Sequence, residues 1–364
     1  MRIAVGILSS IVIALMLSEF FVTFLLPRRV KREPRVARRV FAWVWRPWRA
    51  VAARLSPGVG DTLLGIYGPF GLVLVLAVLS VGLIIGYTGL HWAFDAHLGG
   101  LRGANVGQDL YFSAGSFFSV STTLNPRGAA KVIQVAEAAS GFGVLAIAIG
   151  YLPALFQAFS QREKAVSQLD PRAGSPPTAG GLLVRSGERG GWRELDAYLA
   201  EWEGWAAELM ETHLSYPAIG YFRSQHVNQN WVAALTTVID TCAFSLAFAP
   251  EGSVEAAGLT FAIARHALAD LAYAYKAPVQ KDPPDRLPDS TLAELIGRLE
   301  GGGLALVDGD DALARLRDLR NSYERYSIAI AEQLALPLPG WLPADDVVEN
   351  WRKASARRRR PTLP

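Results

Sequence analysis

The chain has 364 residues, of which 51% are hydrophobic and 19% charged, with a net charge of +3 and a mean hydropathy of +0.21. That is too apolar for an ordinary soluble domain and too charged for a chain lying wholly in a bilayer, so a membrane part joined to a soluble part is expected. The single cysteine, Cys242, excludes an intrachain disulfide framework and a cysteine-based metal site.

Residues 3–26 are apolar apart from Ser, Thr and Glu19, and are long enough to cross a hydrocarbon core of roughly 30 Å. The run exceeds the apolar stretch of a signal peptide, no small-residue cleavage site closes it, and a basic cluster follows it. An uncleaved transmembrane anchor over 1–26 is therefore expected. Segment 27–60 carries Arg28, Arg29, Lys31, Arg32, Arg35, Arg38, Arg39, Arg46, Arg49 and Arg54 against the single acidic Glu33, with Phe41, Trp43, Trp45 and Trp48 among them. That mixture suits an amphipathic helix in the headgroup layer, its rings sunk and its guanidinium groups on anionic lipid phosphates. Nucleic acid is the competing partner, and the position directly after a membrane span favours lipid.

A second apolar run covers 63–89 and a third 132–159, both rich in the Gly and Ala that let membrane helices approach closely. The arginines of 28–54, and Arg162 and Lys164 after the third run, belong on the cytoplasmic side. The N-terminus and region 91–127 then lie outside and the C-terminal part inside. Between the runs, residues 109–121 (DLYFSAGSFFSVS) read as about three helical turns, followed by polar TTLNPRG at 122–128. This stretch is too short to span. Its irregular end cannot face lipid, where backbone groups would go unpaired, so burial in protein or beside a water-filled path is expected.

In this order of elements the sequence resembles the two-span potassium channels: outer helix, pore helix, filter, inner helix. More narrowly it resembles a prokaryotic potassium-channel-like subgroup, in which a YFS motif (here Tyr111, Phe112 and Ser113), a filter and a proline (here Pro126) precede an inner helix similar to EAASGFGVLAIAIGYLPALFQAFSQRE and a segment similar to LDPRAGSPPT. The resemblance covers about residues 60–180, and the C-terminal part more loosely. It implies an all-α membrane protein of a prokaryotic inner membrane, with three transmembrane helices plus a re-entrant pore helix and a channel-like domain over 61–160. It also implies a homotetramer, because one pore segment per chain needs four copies to enclose an axis, and monovalent cations as the permeant partner. Ser119, Val120, Ser121, Thr122, Thr123 and Leu124 fall over the filter. The family pattern T-V-G-Y-G uses glycines to let the carbonyls point inward. Ser121 and Thr123 stand at those glycine positions, and Leu124 and Asn125 stand where an acidic residue usually follows. A β-branched threonine is strained at positive φ, so the usual stack of carbonyl rings is not expected. The expected function is a weakly selective cation path lined by hydroxyls. The alternatives are a filter that conducts only after rearrangement, and a non-conducting scaffold or sensor that keeps the channel architecture.

In the third run, Gly141, Gly143, Gly150 and Pro153 are candidates for a hinge or gate, with close packing of small residues as the other reading. Glu137 and Glu19 are intramembrane carboxylates, candidates for function by their location. Glu137 is expected to hydrogen-bond Ser113 or Ser116 behind the pore helix, and Glu19 to meet an arginine such as Arg28.

Residues 161–190, including the Pro/Gly/Ser stretch at 167–181, read as a linker. Residues 191–340 read as a soluble, cytoplasmic α-helical bundle with helices near 192–214, 226–249, 255–277, 292–300 and 311–336, and 341–364 as a basic tail. Thr291 and Glu294 suggest a capping box. Run 231–249 is apolar enough to raise a further span, but Asp240 sits in its middle, and Arg265, His266 and Asp270 interrupt the run after it. Stretch 216–230 gathers Tyr216, Tyr221, Arg223, Gln225, His226, Asn228 and Asn230, as a ligand site or as helix caps; caps are expected. His213, His226 and His266 lack metal spacing, and DGDD at 308–311 lacks that of a calcium loop. No catalytic residue, metal or cofactor is expected, and no enzyme activity.

Overall fold

The computed structural model describes residues 1–26, 36–94, 106–120, 128–226, 228–307 and 309–344. All regular structure among them is helical, and the chain divides into two units, Met1–Gln157 and Ala158–Pro364.

In the first unit α1 (Arg2–Phe20), ending in a π turn at Phe21–Leu25, packs along α3 (Pro57–Ala93). Gly82, Gly86 and Gly89 of α3 make this possible. A Cβ at Gly82 or Gly86 would come within 2.7 Å of Met16 or Ile13, and one at Gly89 would overlap the Ser9 hydroxyl. Small residues one turn apart let two membrane-type helices touch backbone to side chain. The outward faces remain apolar: Ile3, Ile7 and Ile11 of α1 and Val73, Val81 and Ile85 of α3 are all exposed.

Helix α2 (Val36–Ala52) forms within the basic segment, and three of its four rings pack on α3. Trp45 lies 4.7 Å from Tyr67 of α3, Phe41 5.6 Å from the same ring, and Trp48 stacks 5.0 Å from Phe70. The Trp48 indole N–H donates to the Leu63 carbonyl at 2.9 Å, and the Tyr67 hydroxyl donates to the Phe41 carbonyl. Burying the rings against α3 satisfies their polar tips as well, which a hydrocarbon layer would not. Trp43 alone of the four is largely exposed. Glu19 accepts the Ala37 N–H at 3.0 Å, so a buried carboxylate closes the first turn of α2, where the helix dipole favours it. Arg28, its expected partner, lies outside the described residues.

Helix α4 (Val106–Phe117) and the first part of α5 (Ala129–Ala173) complete this unit. Four helices among the described residues are long and apolar enough to cross a membrane: α1 with its π turn, α3, α5 and α8 (Trp231–Phe248). Three were expected. The fourth differs in its surroundings: every residue of α8 except Leu246 is buried among the other helices of the second unit. A helix wrapped all round by protein must be apolar all round.

The second unit packs the end of α5, α6 (Ala179–Gly187), α7 (Gly191–Ser215), a 3-10 turn at Pro217–Tyr221, α8, α9 (Ala256–Ala274), α10 (Asp289–Gly301) and α11 (Asp310–Leu334). The expected linker over 161–190 is corrected here. Helix α5 runs on to Ala173, and Val166, Leu169, Leu182 and Leu183 join the same core as Leu195 and Leu199. Thr178 caps α6 by accepting the Gly181 N–H at 3.1 Å. The glycines there serve close approach: the Gly180 N–H donates to the Trp341 carbonyl at 2.8 Å, and a Cβ at Gly180 would sit 2.7 Å from that oxygen. Composition alone cannot distinguish a loose linker from such a contact.

Helix α10 begins at Asp289 behind Pro288, so Thr291 lies inside it and the capping box does not form; Asp289 supplies the acid of the first turn instead. Stretch 216–230 caps, as expected. The Asn230 side chain accepts the Ala233 N–H at 2.7 Å and donates to the Pro337 carbonyl at 2.8 Å, and Arg223 donates to the Leu334 and Ala335 carbonyls at the end of α11.

Candidate functional site: the seat of a short helix

Helix α4 has twelve residues, about 18 Å of helix, well short of a hydrocarbon core of roughly 30 Å. Asp109, Phe112, Ser113, Ser116 and Phe117 form its buried stripe, and Leu110, Tyr111 and Phe118 are exposed. Its end is closed by its own backbone. The Val120 N–H donates to the Gly115 carbonyl at 2.8 Å, the Ser119 N–H donates to the Ser116 carbonyl at 3.1 Å, and Ser119 takes a left-handed φ of 56°. This is a Schellman-type stop with serine where glycine is usual. Ser119 and Val120 therefore serve the helix end. Ser121, Thr122, Thr123 and Leu124 lie outside the described residues.

Helix α5 receives that end at Gly141. A Cβ there would overlap the Phe117 carbonyl oxygen and stand 2.8 Å from its carbon and 3.3 Å from the Phe117 Cα. Gly141 is thus a point of contact with α4. Gly143 and Gly150 have nothing within 4 Å of where a Cβ would be. The helix continues unbroken through all three and through Pro153.

Behind α4 lies a buried polar group of side chains. His91 Nε2 of α3 and Glu137 Oε2 of α5 stand 3.3 Å apart, both fully buried. The His91 ring meets the Phe112 ring edge-on at 5.1 Å, and Ser113, fully buried, faces the Glu137 carboxylate. Beside them the Tyr87 hydroxyl is 2.8 Å from Ser140 Oγ and donates to the Ala136 carbonyl at 3.3 Å. Sequence reasoning placed Glu137 against a pore-helix serine and missed His91, 46 positions away. The signal was available: in two antiparallel helices, a polar residue near the end of one is level with a polar residue near the start of the other.

The second unit holds two further buried ionic groups. Arg162 donates to the Ile219 carbonyl at 3.0 Å, the Phe222 carbonyl at 2.9 Å and Glu163 Oε1 at 2.9 Å from Nε. Its Nη1 is 3.4 Å from His213 Nε2, while His213 Nδ1 donates to the Leu209 carbonyl at 2.8 Å. Burial, and then the Arg162 charge, hold the imidazole well below its usual range, so His213 stays neutral. In the core, Arg286 binds both oxygens of Asp240 at 2.9 and 3.2 Å and Glu324 Oε1 at 3.3 Å. Tyr323 donates to Asp240 at 2.6 Å, and Arg320 joins Glu324 at 2.9 Å. Burial, and then the Asp240 carboxylate, push Glu324 up to about 7 in spite of both guanidinium groups.

These two groups respond to acid in opposite senses. The folded value of Glu324 lies above its ordinary value of 4.5, so the penalty for ionising it is present above about pH 7 and fades as pH falls toward 4.5. His213, depressed when folded, takes a proton only on unfolding, so stability is lost as pH falls below 6.5. Glu324→Gln is expected to abolish the gain and leave a steady loss on acidification, read as unfolding free energy from denaturant titrations between about pH 8 and pH 5.

No group of three or more His, Cys, Asp or Glu side chains suited to a metal occurs among the described residues. Compared with models of protein families, with curated proteins and with solved structures, the chain matches none.

Proposed function

We propose that this chain is one subunit of a tetrameric, membrane-embedded pore for monovalent cations, with α3 as outer helix, α4 as pore helix and α5 as inner helix. The reading rests on one observation: a helix too short to span packs by its buried face on one long apolar helix, α3, and sets its end against Gly141 of another, α5. The polar stretch 121–127 that follows in the sequence needs shelter from lipid, and copies of the chain around an axis provide it. Helix α5 supports this, because Val135, Phe142, Leu145, Ile149 and Phe156 leave a broad apolar surface exposed in the single chain. The assembly sits in a prokaryotic inner membrane with the N-terminus outside and the second unit in the cytoplasm. Arg38, Arg39, Arg46, Arg49 and Arg54 lie at the headgroups of anionic lipid. The filter is weakly selective, since serine and threonine hydroxyls replace the glycine-supported carbonyl rings.

Purified protein in planar bilayers tests the reading. Single-channel steps in monovalent salt, altered in size or selectivity by Thr122→Ala or Thr123→Ala, are the expected result. Silence at all voltages from an assembly with the mass of a tetramer would mean a scaffold that keeps the architecture. A mass other than four chains would overturn the axis itself.

A further inference from the structure

We propose that the seat behind α4 is a proton-binding site in which His91 and Glu137 are stable only as a neutral pair, so that gain or loss of one proton loosens the tie between α3 and α5. Both side chains are fully buried, with Nε2 and Oε2 3.3 Å apart. Two polar atoms of the same seat, His91 Nδ1 and Ser116 Oγ, are buried without a hydrogen-bond partner, and Glu137 Oε1 and Ser113 Oγ meet no polar group besides each other. A structural hydrogen bond alone would leave this surplus unexplained, because buried polar atoms are normally paired. The surplus consists of protonatable positions with two hydroxyls at hand, which can turn to donate or accept as a proton arrives.

The states follow from the geometry. With Nε2–H donating to Oε2, the ionised carboxylate makes the pair an anion. A proton on Oε1, beside the Ser113 hydroxyl, makes it neutral. A further proton on Nδ1 makes it a cation in a place closed to water. Charge buried without a counter-charge is strongly disfavoured, so the neutral state is the one in which α3 and α5 are held together behind α4. Other ionisable side chains on the surrounding elements include Tyr87 of α3, engaged with Ser140; Asp109 on the buried face of α4 and exposed Tyr111 beside it; exposed Lys131 of α5; buried Glu19 of α1, which accepts the Ala37 N–H; and Arg2 of α1, over the Trp92 ring at 6.0 Å. The conducting consequence rests on the pore reading above; the proton site itself does not.

The test follows the full-length assembly in detergent and in bilayers from about pH 9 to about pH 3, so that the scan passes below the ordinary glutamate value of roughly 4.3, for the wild type, His91→Gln and Glu137→Gln. Two readouts are taken, the thermal midpoint and the open probability. The wild type is expected to fall on both sides of a plateau. In His91→Gln the acid limb, taken as the difference from wild type, disappears and the alkaline limb remains. In Glu137→Gln the alkaline limb disappears and the acid limb remains. Difference profiles flat with pH for both variants would overturn the proposal, as would a single variant whose own profile has lost both limbs. Thermal limbs that behave as stated in an assembly that never conducts would keep the proton site and reject the pore.

Discussion

Alanine at position 141 is expected to unseat α4. The added methyl would overlap the Phe117 carbonyl oxygen and press on the backbone behind it, so a helix end rather than a flexible side chain must move. Forced overpacking of this kind costs about 1–3 kcal/mol, and backbone is slow to yield. Glycine normally weakens a helix by up to about 1 kcal/mol relative to alanine, so Gly143→Ala and Gly150→Ala, whose methyls meet nothing within 4 Å in the chain, are expected to be neutral or stabilising. The contrast is measured by unfolding the three variants in the same detergent and recording each in bilayers. Gly141→Ala should lower the midpoint and abolish single-channel steps. Equal behaviour of all three would show that α4 does not rest on α5 at this point.

The second large effect is expected in the core of the other unit. Arg286→Met should destabilise it by roughly 3–5 kcal/mol, because Asp240 and Glu324 would then lie buried with their shared guanidinium gone. The loss has a pH signature. Without Arg286 the folded carboxylates take protons more readily than the unfolded ones, so stability is regained as pH falls from about 8 toward about 5. The double variant Arg286→Met, Asp240→Leu should lose less than the sum of its parts, since the second change removes the charge that the first stranded. An Arg286→Met protein as stable as wild type at neutral pH, or one equally damaged at every pH, would remove the network from the account of this core.

Asp240 also shows where sequence reasoning has a limit. A carboxylate in the middle of an apolar run marked 231–249 as unusual, and in the structure α8 is covered on all sides by protein. The identity of its partners was hidden, because Arg286 lies in a proline-rich connection and Tyr323 on a helix whose pattern reads as amphipathic and well charged. The same holds for Glu137. Its residue type marked it as unusual, while His91 became its partner only through the antiparallel pairing of α3 and α5. The stretch over 167–181 failed for a different reason. Proline, glycine and serine mark turns, but the same residues are needed where one backbone crosses another, as Gly180 does at Trp341.

Local chemistry was therefore enough for the all-helical composition, the long apolar runs, the short helix between two of them, and the bounds of α7, α8, α9 and α11 to within a few residues, because periodicity and apolar length are properties of neighbouring residues. Which helix touches which, that Gly141 is a contact, that the α2 rings turn onto α3, and which buried charge meets which were decided by tertiary structure alone. Those facts depend on distances between residues tens of positions apart. No local pattern encodes such a distance until the chain has closed on itself.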